Sequence, residues 1–184
     1  SVSLEVTYRV TEDDALDIRY RLVPEEDTPV NLTNHAYFNL SGGRDADVLN
    51  HELRLMADFY TPAAPDMIPT GEIRKVEGTN LDFTGRRKLS EVLSETFGLD
   101  HNYVLRGFGY RKAAELRHVE SGRRMEVYTD QPGIQIYTGN HFDGSLACKG
   151  GVHYQRYAGI CFETQGFPDA VNRSHFPGCI VRKN

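Results

Sequence analysis

The 184-residue sequence has no tryptophan, three methionines and three cysteines. Cys148, Cys161 and Cys179 form no C-x-x-C pair, and their odd number excludes a fully paired disulfide framework. They read as reduced thiols, which points to an intracellular, cytoplasmic protein. No apolar run approaches the ~20 residues that cross a bilayer as a helix, so no membrane partner is expected. A basic excess is missing as well: 21 Lys and Arg against 26 Asp and Glu leave a formal net charge of -5. Such a chain has no long-range attraction for phosphate backbones, and no nucleic-acid partner is expected. Arg86-Arg87-Lys88 and Arg123-Arg124 are short clusters that read as solvated turns. Several catalytic motifs are absent: the phosphate-cradling G-x-x-x-x-G-K-S/T loop, the dinucleotide G-x-G-x-x-G, the zinc-binding H-E-x-x-H and the G-x-S-x-G nucleophile elbow. Proton transfer, or binding alone, is the chemistry left to look for.

What is present is alternation with a period of two. Val2, Leu4, Val6, Tyr8 and Val10 share one face of a strand. After an Asp13-Asp14 turn, Leu16, Ile18, Tyr20 and Leu22 share one face of the return strand. Further strands are expected over 30–40, 51–59, 103–105, 112–118, 125–129, 134–138 and 159–164, separated by turn signals such as Ser41-Gly42-Gly43 and Gln131-Pro132-Gly133. Only residues 88–97 carry a helical period, through Leu89, Val92, Leu93 and Phe97. Many short strands with Gly/Pro turns predict an all-β, antiparallel β-sandwich, as one domain over residues 1–184. The sequence opens directly in a strand and has no signal-peptide pattern, which suggests a partial copy of a longer domain. The N-x-S/T sequons at Asn31, Asn39 and Asn172 are read as chance matches.

Four segments are dense in polar and aromatic residues. Over 31–40, a strand would align Asn31, Thr33, His35, Tyr37 and Asn39, a face that suits either solvent or a carbohydrate. Sugar hydroxyls need donors and acceptors, and their C–H faces stack on rings. Asp100 lies in Leu-Asp-His-Asn-Tyr-Val-Leu, as a turn former or as a bidentate acceptor for hydroxyls. Gln135 and Tyr137 share one face of a strand. Glu163 ends an apolar run, where a carboxylate is costly unless it is paired, hydrogen-bonded or functional.

Read together, these segments resemble the aldose 1-epimerases, also called galactose mutarotases. The matching pieces are Asn-His-Ala-Tyr-Phe-Asn-Leu-Ser-Gly (34–42), Asp-Phe-Tyr-Thr-Pro (58–62), Ile-Pro-Thr-Gly-Glu-Ile (68–73) and Leu-Asp-Phe (81–83). They continue with Leu-Asp-His-Asn-Tyr-Val-Leu (99–105), Pro-Gly-Ile-Gln-Ile-Tyr-Thr-Gly-Asn (132–140) and Phe-Glu-Thr-Gln-Gly-Phe-Pro-Asp-Ala-Val-Asn (162–172). The resemblance covers nearly the whole chain. It implies a large antiparallel β-sandwich with a sugar cleft, His35 as general acid and Glu163 as general base. Asp100 and Gln135 would hold sugar hydroxyls, with Asn34 and Tyr37 also binding substrate. The implied substrate is a free hexose, galactose or glucose, and the implied reaction interconverts its α and β anomers by ring opening and reclosure. That needs an acid and a base, expected on opposite flanks of one pyranose, and no cofactor or metal. Carboxylates near His35 are expected to favour the imidazolium.

The family's N-terminal half, with a second histidine in a His-Gly-Gly-like stretch and an arginine, has no counterpart in residues 1–184. A separate chain supplying that half is therefore an expected partner. Gly166 stands where the family often has histidine, and His141 where it often has a large apolar residue. Three rivals stand beside this reading. A truncated module would bind sugar without catalysis, a glycoside hydrolase would use Glu163 with Asp100, and a hexose-6-phosphate epimerase would need basic residues at the cleft.

Overall fold

A computed structural model describes residues 1–94 and 97–183. Its strands are β1 (Val2–Val10), β2 (Leu16–Pro24), β3 (Thr28–Pro29), β4 (Tyr37–Phe38), β5 (His51–Leu55), β6 (Ala57–Thr61), β7 (Arg74–Lys75) and β8 (Arg87–Lys88). They continue as β9 (Asp100–Leu105), β10 (Arg111–His118), β11 (Arg124–Thr129), β12 (Gly133–Tyr137), β13 (Asp143–Ala147), β14 (His153–Gln155), β15 (Ile160–Gln165) and β16 (Ile180–Val181). Helix is confined, among the described residues, to the 3-10 turns Leu89–Glu91, Lys149–Gly151 and Ala170–Asn172. None of the helices is long and apolar enough to cross a membrane.

Two sheets carry the core. One has four strands in the order β11-β10-β5-β8, the other six in the order β4-β15-β12-β9-β6-β7. All the paired strands run antiparallel. A single cluster of buried side chains joins Leu53, Leu55, Ala114 and Leu116 of the first sheet to Tyr103, Ile134, Ile136, Ile160 and Phe162 of the second. This is the expected all-β sandwich, since alternate residues of facing strands must bury their apolar faces against each other. The same alternation sends Gln135, Tyr137, Cys161 and Glu163 to the opposite side of the six-stranded sheet from the core.

Several expectations are corrected. The segment 30–40 is a strand only at β4. Before that the chain is irregular, because its polar groups are spent on distant loops: Asn31 exchanges two hydrogen bonds with the backbone of Gly166. The run 51–59 is two strands in different sheets. The crossing falls at Met56, whose N–H donates to Ala113 O and whose carbonyl accepts from Arg106 N–H. The helix expected over 88–97 is one 3-10 turn within the described residues, and positions 95 and 96 lie outside them. Its apolar period is real, since Leu89, Val92 and Leu93 are buried, but the chain leaves the helical path after one turn.

The β1–β2 hairpin stands apart. Its register places Val2, Leu4, Val6, Tyr8 and Val10 opposite Pro24, Leu22, Tyr20, Ile18 and Leu16, so five apolar cross-strand pairs share one face. Most of these side chains are exposed, Val10 at 81% and Tyr8 at 58%.

Candidate active site

The outward face of the six-stranded sheet is built in rows. Antiparallel register sets Asp100 beside Tyr137, Tyr137 beside Cys161 and Cys161 beside Tyr37, one row across four strands. The next row sets Asn102 beside Gln135 and Gln135 beside Glu163. Directly opposed residues point to the same side of a sheet, so both rows face one way. Above them lies a cleft of about 460 Å³, lined by His35, Tyr37, Met67, Asp100, Gln135, Tyr137, His141, Glu163, Gln165 and Pro168.

His35 reaches the cleft from the irregular segment just before β4. Three anchors hold that segment. Asn39 Nδ2 donates to the carbonyls of Asp45, Asp47 and Ala158. The Leu40 N–H donates to Nε2 of buried His51 at 2.8 Å. Burial, reinforced by His118, pushes His51 down to about 4, which keeps it neutral and able to accept. Asn34 Oδ1 accepts the Ala36 N–H while its Nδ2 donates to Tyr8 Oη at 3.0 Å.

His35 Nε2 lies 3.3 Å from Glu163 Oε1, and its Nδ1 lies 3.4 Å from Cys161 Sγ. The two ends of the site differ in solvent access: the His35 side chain is 50% exposed and that of Glu163 is 10% exposed. Desolvation raises the Glu163 carboxyl above the ordinary range, the Asp100 charge adds to this, and His35 opposes it. A raised carboxylate is a stronger base once ionised, as general-base work requires. Burial pushes Tyr37 and Cys161 up to about 12 each, so both are protonated at neutral pH.

Beside Glu163 on the sheet, Gln135 Nε2 donates to Asp100 Oδ1 at 2.7 Å. Gln135 Oε1 is buried without a hydrogen-bond partner. A buried acceptor left open costs stability unless a ligand donor completes it. The loop before Asp100 is fixed by Leu99 N–H to Thr138 Oγ1 and by Asn140 Nδ2 to Leu99 O, each at 2.9 Å. Gly98 makes this approach possible: a Cβ there would sit 2.0 Å from Asn140 Oδ1. Rings complete the wall, with His35 5.2 Å from Tyr37, and Tyr137 stacked on His141 at 6.2 Å.

Of the residues singled out from sequence, His35, Tyr37, Asp100, Gln135 and Glu163 meet in this cleft. Asn34 is not among its lining residues, and its amide is engaged by Tyr8 and Ala36. His35 and Glu163, expected on opposite flanks of a ring, are neighbours 3.3 Å apart. Sequence reasoning missed Met67, an exposed side chain at the cleft mouth with φ +67°. It also missed the Cys161 contact, which the i, i+2 spacing to Glu163 on one strand announces. Metal-ligating atoms also gather at Asp45, His118 and Glu120, but there both ring nitrogens of His118 are engaged, by Asp45 and by the Ser121 N–H.

Comparison with known proteins gives consistent results. A family model described as Aldose 1-epimerase matches residues 1–184. Galactose mutarotase of Bos taurus is 45% identical over 170 residues, which cover 91% of this chain and 50% of that protein. Galactose mutarotase of Mus musculus is 44% identical over 180 residues, 96% of this chain and 52% of that protein. The crystal structure of a GalM/aldose epimerase homologue from C. elegans superimposes with a TM-score of 0.89 at 29% identity, covering 100% of this chain and 56% of that one. The chain thus spans about half the length of the relatives it matches.

Proposed function

The chain belongs to the aldose 1-epimerase family, and we propose from that premise that its cleft interconverts the α and β anomers of a free hexose of the galactose or glucose type. In this reading Glu163, ionised, takes the proton of the C1 hydroxyl while His35, protonated, gives one to the ring oxygen. The C1–O5 bond breaks and C1 becomes an aldehyde. Rotation about C1–C2 by roughly half a turn presents the other face, and reclosure with the proton transfers reversed gives the other anomer. Positioned proton transfer of this kind contributes typically ~10²–10⁴-fold. Asp100 and Gln135 hold sugar hydroxyls, and Tyr37 supplies an apolar surface for the C–H face of the ring.

The observation that carries the reading is the 3.3 Å approach of His35 Nε2 to Glu163 Oε1 inside a cleft. One carboxylate and one imidazole, side by side, match two oxygens on one carbon. The carboxylates of Asp100 and Glu163 suit an uncharged sugar better than a sugar phosphate. The remainder of the fold that the relatives carry is proposed to complete the cleft, supplied by another chain or by further polypeptide. The three free thiols support a cytoplasmic setting.

A second reading is a module that binds the sugar without turning it over. Polarimetry on fresh α-D-galactose and α-D-glucose separates the two. Epimerisation faster than the spontaneous rate, lost in Glu163→Gln and His35→Ala, supports catalysis. Saturable sugar binding at the spontaneous rate, with the other half of the relatives' fold present, supports the binding module.

A further inference from the structure

The residue least accounted for is Cys161. It is a free thiol with no exposed surface, yet it faces the cleft side of the sheet, directly opposite Tyr37 and two residues from Glu163. Its Sγ lies 3.4 Å from His35 Nδ1, and the other ring nitrogen lies 3.3 Å from Glu163 Oε1. One donor atom from each of His35, Cys161 and Glu163 can be chosen so that all three lie within 4.8 Å of one another.

We propose that Cys161, His35 and Glu163 form a binding site for a borderline-soft divalent cation of the zinc class, and that the cation shuts the catalytic centre by occupying its acid and its base together. The dimensions suit it. Zinc bonds of ~2.3 Å to sulfur and ~2.0–2.1 Å to imidazole nitrogen, at tetrahedral angles, separate the two donors by about 3.5 Å. The Sγ to Nδ1 contact already has that length. An imidazole offers a cation one nitrogen, so the remaining donor has to close from at most 4.8 Å to an edge of that tetrahedron. That closing takes rotation of the Glu163 side chain as well as of the half-exposed His35. Three protein ligands leave the fourth position to water from the cleft. The donor set of one thiolate, one imidazole and one carboxylate selects zinc or cadmium over magnesium or calcium, which favour all-oxygen shells.

The step is a ligand exchange without redox change. The Cys161 S–H bond breaks as the S–metal bond forms, the proton passes to buffer, and His35 and Glu163 each give a lone pair. The cation is an inhibitor here, and it competes with the sugar for the cleft. That consequence rests on the epimerase reading; the binding does not.

The test uses Cd²⁺ as probe on the full chain carrying Cys148→Ser and Cys179→Ser, so that Cys161 is the one thiol left. Cadmium titration with ultraviolet detection should give a thiolate-to-metal charge-transfer band saturating at one equivalent, weakened by added D-galactose. Adding Cys161→Ala, or Cys161→Ser should the alanine variant not fold, should remove the band and weaken binding at least about tenfold. Absence of the band in the parent, or unchanged affinity without the thiol, overturns the proposal. In an active preparation Zn²⁺ should suppress anomer exchange in the parent and not in the Cys161 variant; equal suppression of both overturns it too. A cadmium band with no sugar turnover, once the other half of the relatives' fold is present, defeats the epimerase reading and leaves the metal site standing.

Discussion

At the scale of single residues, the cleft places a desolvated carboxylate against an imidazole, and the sign of its pH response follows. Glu163 must be ionised to accept a proton, and its carboxyl is raised by burial. Activity at low pH should therefore fall as pH drops through a limb lying above the ordinary carboxylate range, and a rate profile for anomer exchange measures it. The same raised value opposes folding in the ionised state. The folded chain holds the Glu163 proton at pH values where the unfolded chain has lost it, so this group's contribution to stability declines as pH rises through the folded value. Glu163→Gln should consequently lose activity by about 10² or more while its melting temperature at neutral pH is equal to or above that of the parent. Thermal denaturation of the two proteins side by side checks this. Gln135 gives a different signature. Its Oε1 is an open buried acceptor and its Nε2 holds Asp100, so Gln135→Leu should raise KM about tenfold or more with a smaller change in kcat.

At the scale of elements, the site depends on contacts that bring distant segments together. Gly98 is the clearest case, because a methyl group there collides with Asn140, the residue that holds Leu99 beside Asp100. Gly98→Ala should displace Asp100 and cost about 1–3 kcal/mol of stability, seen as a lower denaturant midpoint together with a higher KM. Elements were legible in the sequence where alternation is local. The apolar faces of β1 and β2, and the split of β12 into Ile134 and Ile136 inward with Gln135 and Tyr137 outward, follow from a period of two. The His35 segment was not, because its geometry comes from partners 135 residues away at Gly166 and from the His51 ring beneath Leu40. Nor was the division of β5 from β6, where one uninterrupted stretch of strand-forming sequence serves two sheets and turns at Met56 without a glycine or proline to mark it.

At the scale of the whole molecule, the sandwich core is closed while the β1–β2 hairpin holds an apolar face in the open. Unpaired apolar faces of this extent drive association. Replacing Val6 and Tyr20, an opposed pair on that face, with lysine should lower the tendency of the chain to self-associate and leave the melting temperature nearly unchanged. Light scattering against concentration and a thermal scan test both halves of that statement. The cleft belongs to the same scale, since His35, Asp100, Gln135 and Glu163 come from four separate stretches that only the assembled sheet brings together. Their identities were legible through the family resemblance, whereas the adjacency of acid and base required the three-dimensional arrangement. The central claim is that His35 and Glu163 together move the two protons of an anomeric exchange. It is tested most directly by magnetisation-transfer NMR between the α and β anomeric signals of galactose, with the chain alone and with the chain joined to the half of the fold its relatives carry. The account predicts accelerated exchange in the completed protein, reduced by about 10² or more in both Glu163→Gln and His35→Ala. Acceleration that survives either substitution undiminished would contradict it.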